Sequence, residues 1–389
     1  MRSERALALI LLLAACEIEK VSIPRTESLV AMHAVLSASA STQVVLLERT
    51  RNGSVSVLAP GFDLEDPLVS DEGIAESGAI VSLTMPSGQT LDAVEDNVAR
   101  GDGKGRGIYR FRLPGASLER NVTYRLNVYT TKGELLAAET SVPAGVAASV
   151  AAQRLFDRAR DTVVLQWPVT PGARSYFVRI ETPFGPRTFF TDSTRLRLTG
   201  ELRNVDTDAL SRVFIPGFPQ TVTVSAVDSN YYDWYRSHDN EITGTGLINR
   251  VQGGFGVFGA LVRLRFENFD VVAPQTEPIA GTYVFTGSEL EQRTTPFSRI
   301  VLYVESPTAR ADQADALSGQ YDVVPRFGYV GCYTCGLLGT VRDGKVQLGL
   351  LAAWSARDTS EVFNGEIRGD TLVGSYRGFG GIVHFVKQR

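Results

Sequence analysis

Apolar and polar residues alternate along most of this chain, and this alternation is the feature that most limits its fold. In "NVTYRLNVY" the apolar positions are Val122, Tyr124 and Leu126, and "GIYRFRL" repeats the pattern with Tyr109 and Phe111. A period of two sends successive side chains to opposite faces of a strand, so one face is buried and the other is wet. Such runs recur between turn residues in a chain with 37 glycines. The sequence therefore predicts an all-β protein built from several modules.

Three modules fit the 389-residue length, because domains usually contain about 100–200 residues. We expect an immunoglobulin-like β-sandwich at residues 28–146 and a second β-sandwich at residues 147–272. A C-terminal antiparallel barrel follows at residues 278–389. Eight short strands fit this last module, and tight turns such as Asp343-Gly344 join them into a meander. Eight strands can close into a barrel that holds one small ligand, and the topology alone resembles lipocalin and avidin barrels.

The N-terminal apolar run ends at a cysteine. Arg2 and Arg5 precede the run at residues 6–13, which is shorter than the roughly 20 residues that span a bilayer. A short apolar run that closes with Leu-Ala-Ala-Cys matches the bacterial lipoprotein signal. We therefore predict a signal peptide at residues 1–15, lipidation of Cys16 and a lipidated tether at residues 16–27. The alternatives are a plain secretory signal with an incidental cysteine, and a cytosolic helix.

The net charge and the N-terminal signal favour a membrane as partner, and they do not favour nucleic acid. The formal net charge is -4, and no block of Lys and Arg forms the basic footprint that nucleic-acid binding needs. From the predicted lipid anchor we expect the protein to lie in the cell envelope, at the outer membrane.

The second sandwich resembles a fibronectin type III domain. It has Trp167 in an early strand, then "GARSY", then the late strand "TVTVSAVDSN". That fold usually carries a corner tyrosine two residues before the late valine pair, and Gln220 occupies this position. We therefore expect the corner hydrogen bond to be missing.

A longer resemblance covers residues 16–269. The lipobox, the tether, "SLVAMHAVLSAS", "NVTYRLNVYTTKGELLAAETSVP" and "INRVQGGFGVFGALV" follow one another as in a family of Bacteroidetes-type surface lipoproteins of unknown function. These lipoproteins are often encoded beside TonB-dependent receptors. The resemblance implies an accessory role at the outer membrane, with such a receptor as the partner, and it supplies no catalytic residues.

Cys332 and Cys335 are the two cysteines that remain once Cys16 is lipidated. In an exported protein we expect a disulfide bond between them. A redox-active pair, metal binding and free thiols are the alternatives, although one C-x-x-C supplies only two of the four ligands of a structural zinc site.

The densest aromatic stretch is "DSNYYDWYRSHDNE" at residues 228–241. We predict a loop there, because aromatic and arginine side chains on loops are enriched at binding hot spots. The alternatives are that the rings cover the end of the sandwich, or that His238, Asp239 and Glu241 bind a metal ion. The candidate binding residues are Tyr231, Tyr232, Trp234, Tyr235 and Arg236.

The G-x-G-x-x-G at residues 254–259 precedes "ALVRLRF", which alternates like a strand. A dinucleotide site needs a helix at this point, so we expect a tight turn with close backbone contacts and no cofactor.

Catalytic motifs are missing from the sequence, which has three histidines and neither H-E-x-x-H nor G-x-S-x-G. We therefore predict a non-catalytic, lipid-anchored accessory protein of a TonB-dependent transport system. One alternative is an envelope glycan hydrolase. Another is a carrier of a small apolar ligand, bound in the barrel by Val301, Tyr303, Leu348, Leu350, Ala352 and Phe385.

Overall fold

The computed structural model describes thirteen segments of the chain. The chain is almost entirely β-strand over these residues, with one helix, so the predicted fold class is confirmed. Cys16, Cys332, Ala352 and the proposed ligands His238, Asp239 and Glu241 lie outside the described residues. The segments are 28–50, 74–99, 106–113, 118–149, 151–203, 210–237, 248–275, 277–287, 297–306, 315–323, 334–351, 359–376 and 379–388.

The N-terminal part contains seventeen strands and helix α1 (Ser229–Ser237) in its described residues. The strands are β1 (Val30–Ser37), β2 (Thr42–Arg49), β3 (Ile80–Thr84), β4 (Thr90–Asp92), β5 (Val94–Glu95), β6 (Ile108–Arg112), β7 (Thr123–Tyr129), β8 (Leu135–Ser141), β9 (Gln153–Asp157), β10 (Val163–Gln166), β11 (Ser175–Ile180), β12 (Arg187–Thr191), β13 (Arg195–Leu198), β14 (Glu201–Arg203), β15 (Leu210–Arg212), β16 (Pro219–Val227) and β17 (Phe255–Val272).

One nine-stranded sheet contains strands from both predicted sandwich modules. Its order is β12-β11-β16-β17-β1-β2-β6-β5, and β9 also pairs with β17. The join is a parallel pairing in which Ala31 of β1 lies opposite Phe255 of β17. The division predicted at residue 146 thus falls between strands that the fold unites in one sheet. Alternation in the sequence identifies strands and their buried faces, but it does not encode which distant strand will be the partner.

A four-stranded sheet, in the order β4-β3-β7-β8, contributes to the same core. Its alternation is the predicted one, since Tyr124, Leu126 and Val128 are fully buried while Thr123 and Arg125 face solvent. The three buried side chains belong to one hydrophobic cluster that includes Met32 and extends to Val271, so both predicted sandwich modules share a core.

The C-terminal strands form a closed antiparallel barrel, as predicted. Each strand pairs with its neighbour in sequence, and Tyr283 opposite Lys387 closes the ring. The strands are β18 (Gly281–Phe285), β19 (Phe297–Ser306), β20 (Asp315–Val323), β21 (Thr334–Arg342), β22 (Lys345–Leu351), β23 (Thr359–Arg368), β24 (Thr371–Tyr376) and β25 (Phe379–Lys387).

Packed side chains occupy the barrel interior over its described residues. The ring centroids of Phe363 and Phe385 lie 6.3 Å apart, and burial raises the pKa of Tyr283 to about 12. Of the side chains predicted to line a ligand site, Leu348, Leu350 and Phe385 belong to this core, whereas Val301 and Tyr303 are buried outside it. Both faces of β19 are apolar, so alternation alone did not reveal which face points inward.

A loop of the sandwich packs against the outer wall of the barrel. Ile215 and Phe218 form a buried cluster with Leu351 of β22. Gly336 of β21 leaves room for the Phe218 ring, because a Cβ atom at Gly336 would lie 2.3 Å from that ring. Gly217, at a φ of +82°, likewise approaches the backbone of Gly319. We call this contact the barrel joint.

Gln220 holds the loop of the barrel joint in shape. Its side-chain oxygen accepts a hydrogen bond from the Phe214 amide at 2.9 Å, and its Nε2 donates to the Ile215 carbonyl at 3.1 Å. Phe214 has a φ of 56°, a left-handed conformation that bulky residues rarely adopt. The prediction that a corner hydrogen bond is missing is therefore wrong, because the glutamine makes two bonds to this loop.

Strand β17 runs from the start of β1 to the barrel joint. With 18 residues it extends about 60 Å at the usual strand rise. Gly254, just before its start, lies against the Val30 carbonyl and the Leu136 side chain. Near its far end, the Val271 carbonyl accepts a hydrogen bond from Gly217 of the barrel joint at 2.8 Å. The start of β1 and the barrel joint are thus at opposite ends of one strand.

Candidate functional site

The predicted aromatic loop is a helix, α1, and this corrects our sequence interpretation. Asp228 caps it, because its Oδ1 accepts a hydrogen bond from the Tyr231 amide at 3.0 Å. The spacing of Tyr231 and Tyr235 then places both rings on one side. Aspartate before an aromatic run with this spacing was the available signal for a helix, and we gave it too little weight.

Asp228 also ties the helix to two strands. The carboxylate accepts hydrogen bonds from the Ala260 amide of β17 at 3.0 Å and from the Thr140 hydroxyl of β8 at 2.6 Å. Burial raises the pKa of Asp228 and outweighs these bonds, which act in the opposite direction. The helix is therefore fixed to the fold at its first turn.

The tyrosines of α1 pack on the outer face of β11 and β12. The ring of Tyr231 lies 5.9 Å from that of Phe177, and the Tyr235 ring lies 5.0 Å from that of Phe190. Tyr235 also exchanges a hydrogen bond with the Thr188 hydroxyl at 2.9 Å. Burial raises the pKa of Tyr231. These rings serve as packing between the helix and the edge of the sheet, which fits the covering role that we kept as an alternative.

Tyr232 occupies a different environment, between two arginines. The guanidinium carbon of Arg174 lies 4.8 Å from its ring centroid, and that of Arg236 lies 5.8 Å away. Phe190 supports the ring edge-to-face at 5.0 Å. Cation–π geometry of this kind holds both arginines beside an aromatic face. We call Arg174, Tyr232 and Arg236 the tyrosine–arginine cluster.

Trp234 is separate from the other predicted binding residues. Its ring packs against Phe255 at 5.2 Å, at the start of β17. Asp233 links Arg236 of the cluster to Arg250, because it accepts hydrogen bonds from Arg236 at 3.0 Å and from Arg250 at 2.5 Å. Burial of Asp233 opposes ionisation, but the two arginines outweigh it and hold the pKa of this carboxyl below its ordinary value.

A polar cleft between α1 and β8 was not foreseen from the sequence. It has a volume of about 460 Å³, and its lining includes Arg125, Asn127, Glu139, Asn230 and Arg250. Asn230 bridges the Glu139 carbonyl at 2.6 Å and the Phe258 carbonyl at 2.9 Å. The polar positions of β7 and β8 were visible in the alternation, but their position beside α1 depends on tertiary packing.

The glycine-rich motif contributes packing to β17. Gly256 has a φ of +126°, and a Cβ atom there would lie 1.8 Å from the Met32 carbonyl oxygen. Strand β17 begins at Phe255, inside the motif, so the tight turn that we predicted is wrong for residues 255–259, and the helix that a dinucleotide site requires does not begin there.

Cys335 is disulfide-bonded. Its predicted pairing with Cys332 stays a prediction, because Cys332 lies outside the described residues. Across the described segments, no group of three or more His, Cys, Asp or Glu side chains could hold a metal ion. The same segments contain no helix that is long and apolar enough to cross a membrane.

Together, the fold and these surfaces define a modular all-β protein that carries a closed barrel at its C-terminal end. The chain belongs to the family described as "Domain of unknown function (DUF4249)", whose model matches residues 17–264. The sequence predicted a family of unknown function over nearly the same residues, 16–269, and this part of the prediction is confirmed. The barrel lies beyond the match.

Other comparisons add little. No curated protein matches the chain. Among solved structures, a pullulanase from Anoxybacillus, complexed with maltotriose, matches at 11% identity with a TM-score of 0.17. The match covers 50% of this chain and 24% of the pullulanase chain. A likeness at this level carries no argument about fold or activity.

Proposed function

We propose that the protein is a lipid-anchored, non-catalytic envelope protein that acts as an accessory of a TonB-dependent transport system at the outer membrane. The Leu-Ala-Ala-Cys signal supports the anchor, and the resemblance to lipoproteins encoded beside such receptors supports the partner. In this proposal the barrel is a packed module held by the sandwich. Ligand carriage and glycan hydrolysis stay predictions that no described contact favours.

The tyrosine–arginine cluster is the observation that carries the binding role. Tyrosine and arginine are the residue types enriched at interface hot spots. Here the Tyr232 ring contacts Phe190 and two guanidinium groups, so it is preorganised and loses little conformational freedom on binding. The cluster lies beside β12, the edge strand of the large sheet, where a partner protein has access.

The anchor is tested by replacing the cysteine that would carry the lipid. We expect Cys16→Ser to abolish labelling by radioactive palmitate and to move the protein from the membrane fraction to the soluble fraction. Wild-type protein provides the reference in both measurements. A Cys16→Ser protein that is still labelled and membrane-bound would contradict the proposal.

The partner is tested by co-purification with the TonB-dependent receptor encoded nearest to the gene. Truncation at a hot spot usually costs about 2 kcal/mol or more, so Tyr232→Ala should raise the dissociation constant for the receptor at least about 30-fold and lower its recovery. The matched control is Ile382→Ala, which removes an exposed apolar side chain from the barrel. Equal recovery with both variants would rule out the cluster as the receptor-binding surface.

A further inference from the structure

Large apolar side chains form an exposed row at one end of the sandwich. Ile80 of β3, Tyr129 of β7 and Leu135 of β8 are 64%, 52% and 47% exposed. They are cross-strand neighbours, because Ile80 pairs with Tyr129 and Tyr129 pairs with Leu135. Val94 extends the row beyond Ile80, since the preceding residue bonds to the Val81 carbonyl, and Val94 is 71% exposed.

The row continues to the point where the described chain begins. The Leu135 carbonyl lies against Gly253, and Gly254 lies against the Val30 carbonyl. Leu29, the neighbour of Val30, is 51% exposed. We call Leu29, Ile80, Val94, Tyr129 and Leu135 the apolar end.

A charged network fixes this end to the first described residues. Arg49 forms ion pairs with Glu76 and Glu134, and Glu134 immediately precedes Leu135. Arg49 also reaches the Ser28 carbonyl at 3.5 Å, and the Ser28 hydroxyl donates to the Thr50 carbonyl at 2.6 Å. Ser28, the first described residue, therefore lies at the apolar end.

We propose that the apolar end rests on the lipid bilayer that holds Cys16. This inference rests on the proposed anchor, and it specifies which face of the protein contacts the membrane. Cys16 precedes Ser28 by twelve residues, so the lipid that it would carry can lie no more than about 40 Å from Ser28. The anchor thus keeps the apolar end at high effective concentration beside the bilayer.

The chemistry of this surface fits a lipid interface. Tyrosine is favoured where an apolar surface meets water, because its ring enters the acyl boundary while its hydroxyl stays hydrated. Lys132, in the turn between β7 and β8, is exposed beside Tyr129 and can meet lipid phosphates. The barrel joint lies at the opposite end of β17, so this orientation points the barrel away from the membrane.

The test measures contact with acyl chains in the lipidated full-length protein. Tyr129→Trp and Ile80→Trp would be reconstituted in phosphatidylethanolamine and phosphatidylglycerol vesicles whose acyl chains carry bromine, which quenches tryptophan on contact. The control is Ile382→Trp, at a barrel position that is 67% exposed. All variants share the same three native tryptophans, so the added residue determines the difference.

We expect quenching of the added tryptophan to be at least twofold greater at positions 129 and 80 than at position 382. Equal quenching in vesicle-bound, palmitate-labelled protein would overturn the proposal and leave the anchor intact. Equal quenching together with dimers in sedimentation would assign the apolar end to a second copy of the chain. Absence of palmitate and of vesicle binding would instead refute the anchor, and this inference would fall with it.

Discussion

At the scale of single residues, the Asp228 carboxylate joins α1, β8 and β17 through the hydrogen bonds of Tyr231, Thr140 and Ala260. Replacing it with alanine leaves buried donors without an acceptor, and each such loss costs about 1–3 kcal/mol. We therefore expect Asp228→Ala to lower the free energy of unfolding by about 2–4 kcal/mol. Urea unfolding, together with faster hydrogen exchange in residues 229–237, would measure this.

Asp228→Asn is the matched control, because it preserves shape and removes the charge. The pKa of Asp228 is raised above 3.8, so the acid favours the folded state only while it is protonated. The wild type should therefore lose stability relative to Asp228→Asn as the pH rises from below 3.8 through the raised pKa. A stability difference that does not change with pH would contradict the buried, perturbed carboxyl.

Some residue positions were predictable and others were not. Tyr124 and Leu126 are buried as the alternation predicted, because the pleat of a strand fixes which face each residue takes. The two hydrogen bonds of Gln220 were not predictable, because their partners Phe214 and Ile215 are presented by a loop with a left-handed residue. No periodicity in the sequence encodes such a loop.

At the scale of elements, the barrel joint depends on two residues that fit together. Gly336→Val should displace the Phe218 ring, which already lies against the Gly336 backbone, and should destabilise the joint by about 1–3 kcal/mol. Hydrogen exchange of residues 213–218 and thermal unfolding would report the loss. Gly381→Val is the control, because no atom lies within 4 Å of a Cβ atom there.

A double variant separates a local steric contact from general damage to the barrel. If the clash with Phe218 is the cause, Gly336→Val should cost much less in a Phe218→Ala background. Additive costs would show that Gly336→Val disturbs the barrel itself.

The sequence predicted the barrel strands better than it predicted helix α1. The number of barrel strands and their meander order were predicted because each strand pairs with its neighbour and short turns join them. Helix α1 was missed because tyrosine and asparagine are weak helix formers, and its stability comes from packing on Phe177 and Phe190.

At the scale of the whole molecule, the barrel covers apolar surface that the sandwich cannot bury alone. Ile215 and Phe218 are each 1% exposed in the complete fold. A chain that ends at residue 275 should therefore expose both side chains and aggregate at micromolar concentration. Sedimentation and light scattering would measure this, with Phe218→Ser in the shortened chain as the variant that restores solubility. A soluble shortened chain without that change would contradict the dependence.

If the chain is exported as proposed, the parallel pairing of β1 with β17 also sets an order of events. Ala31 pairs with Phe255, which follows it by more than 220 residues. In the proposed export, the first strand therefore leaves the cell interior long before its partner does. Pairings across such a sequence distance form late. Under the proposed lipidation, the large sheet would therefore still be open when an enzyme in the inner membrane reaches Cys16. In this proposal acylation and cleavage precede the closing of the large sheet, which would then mark a protein whose anchor is already in place.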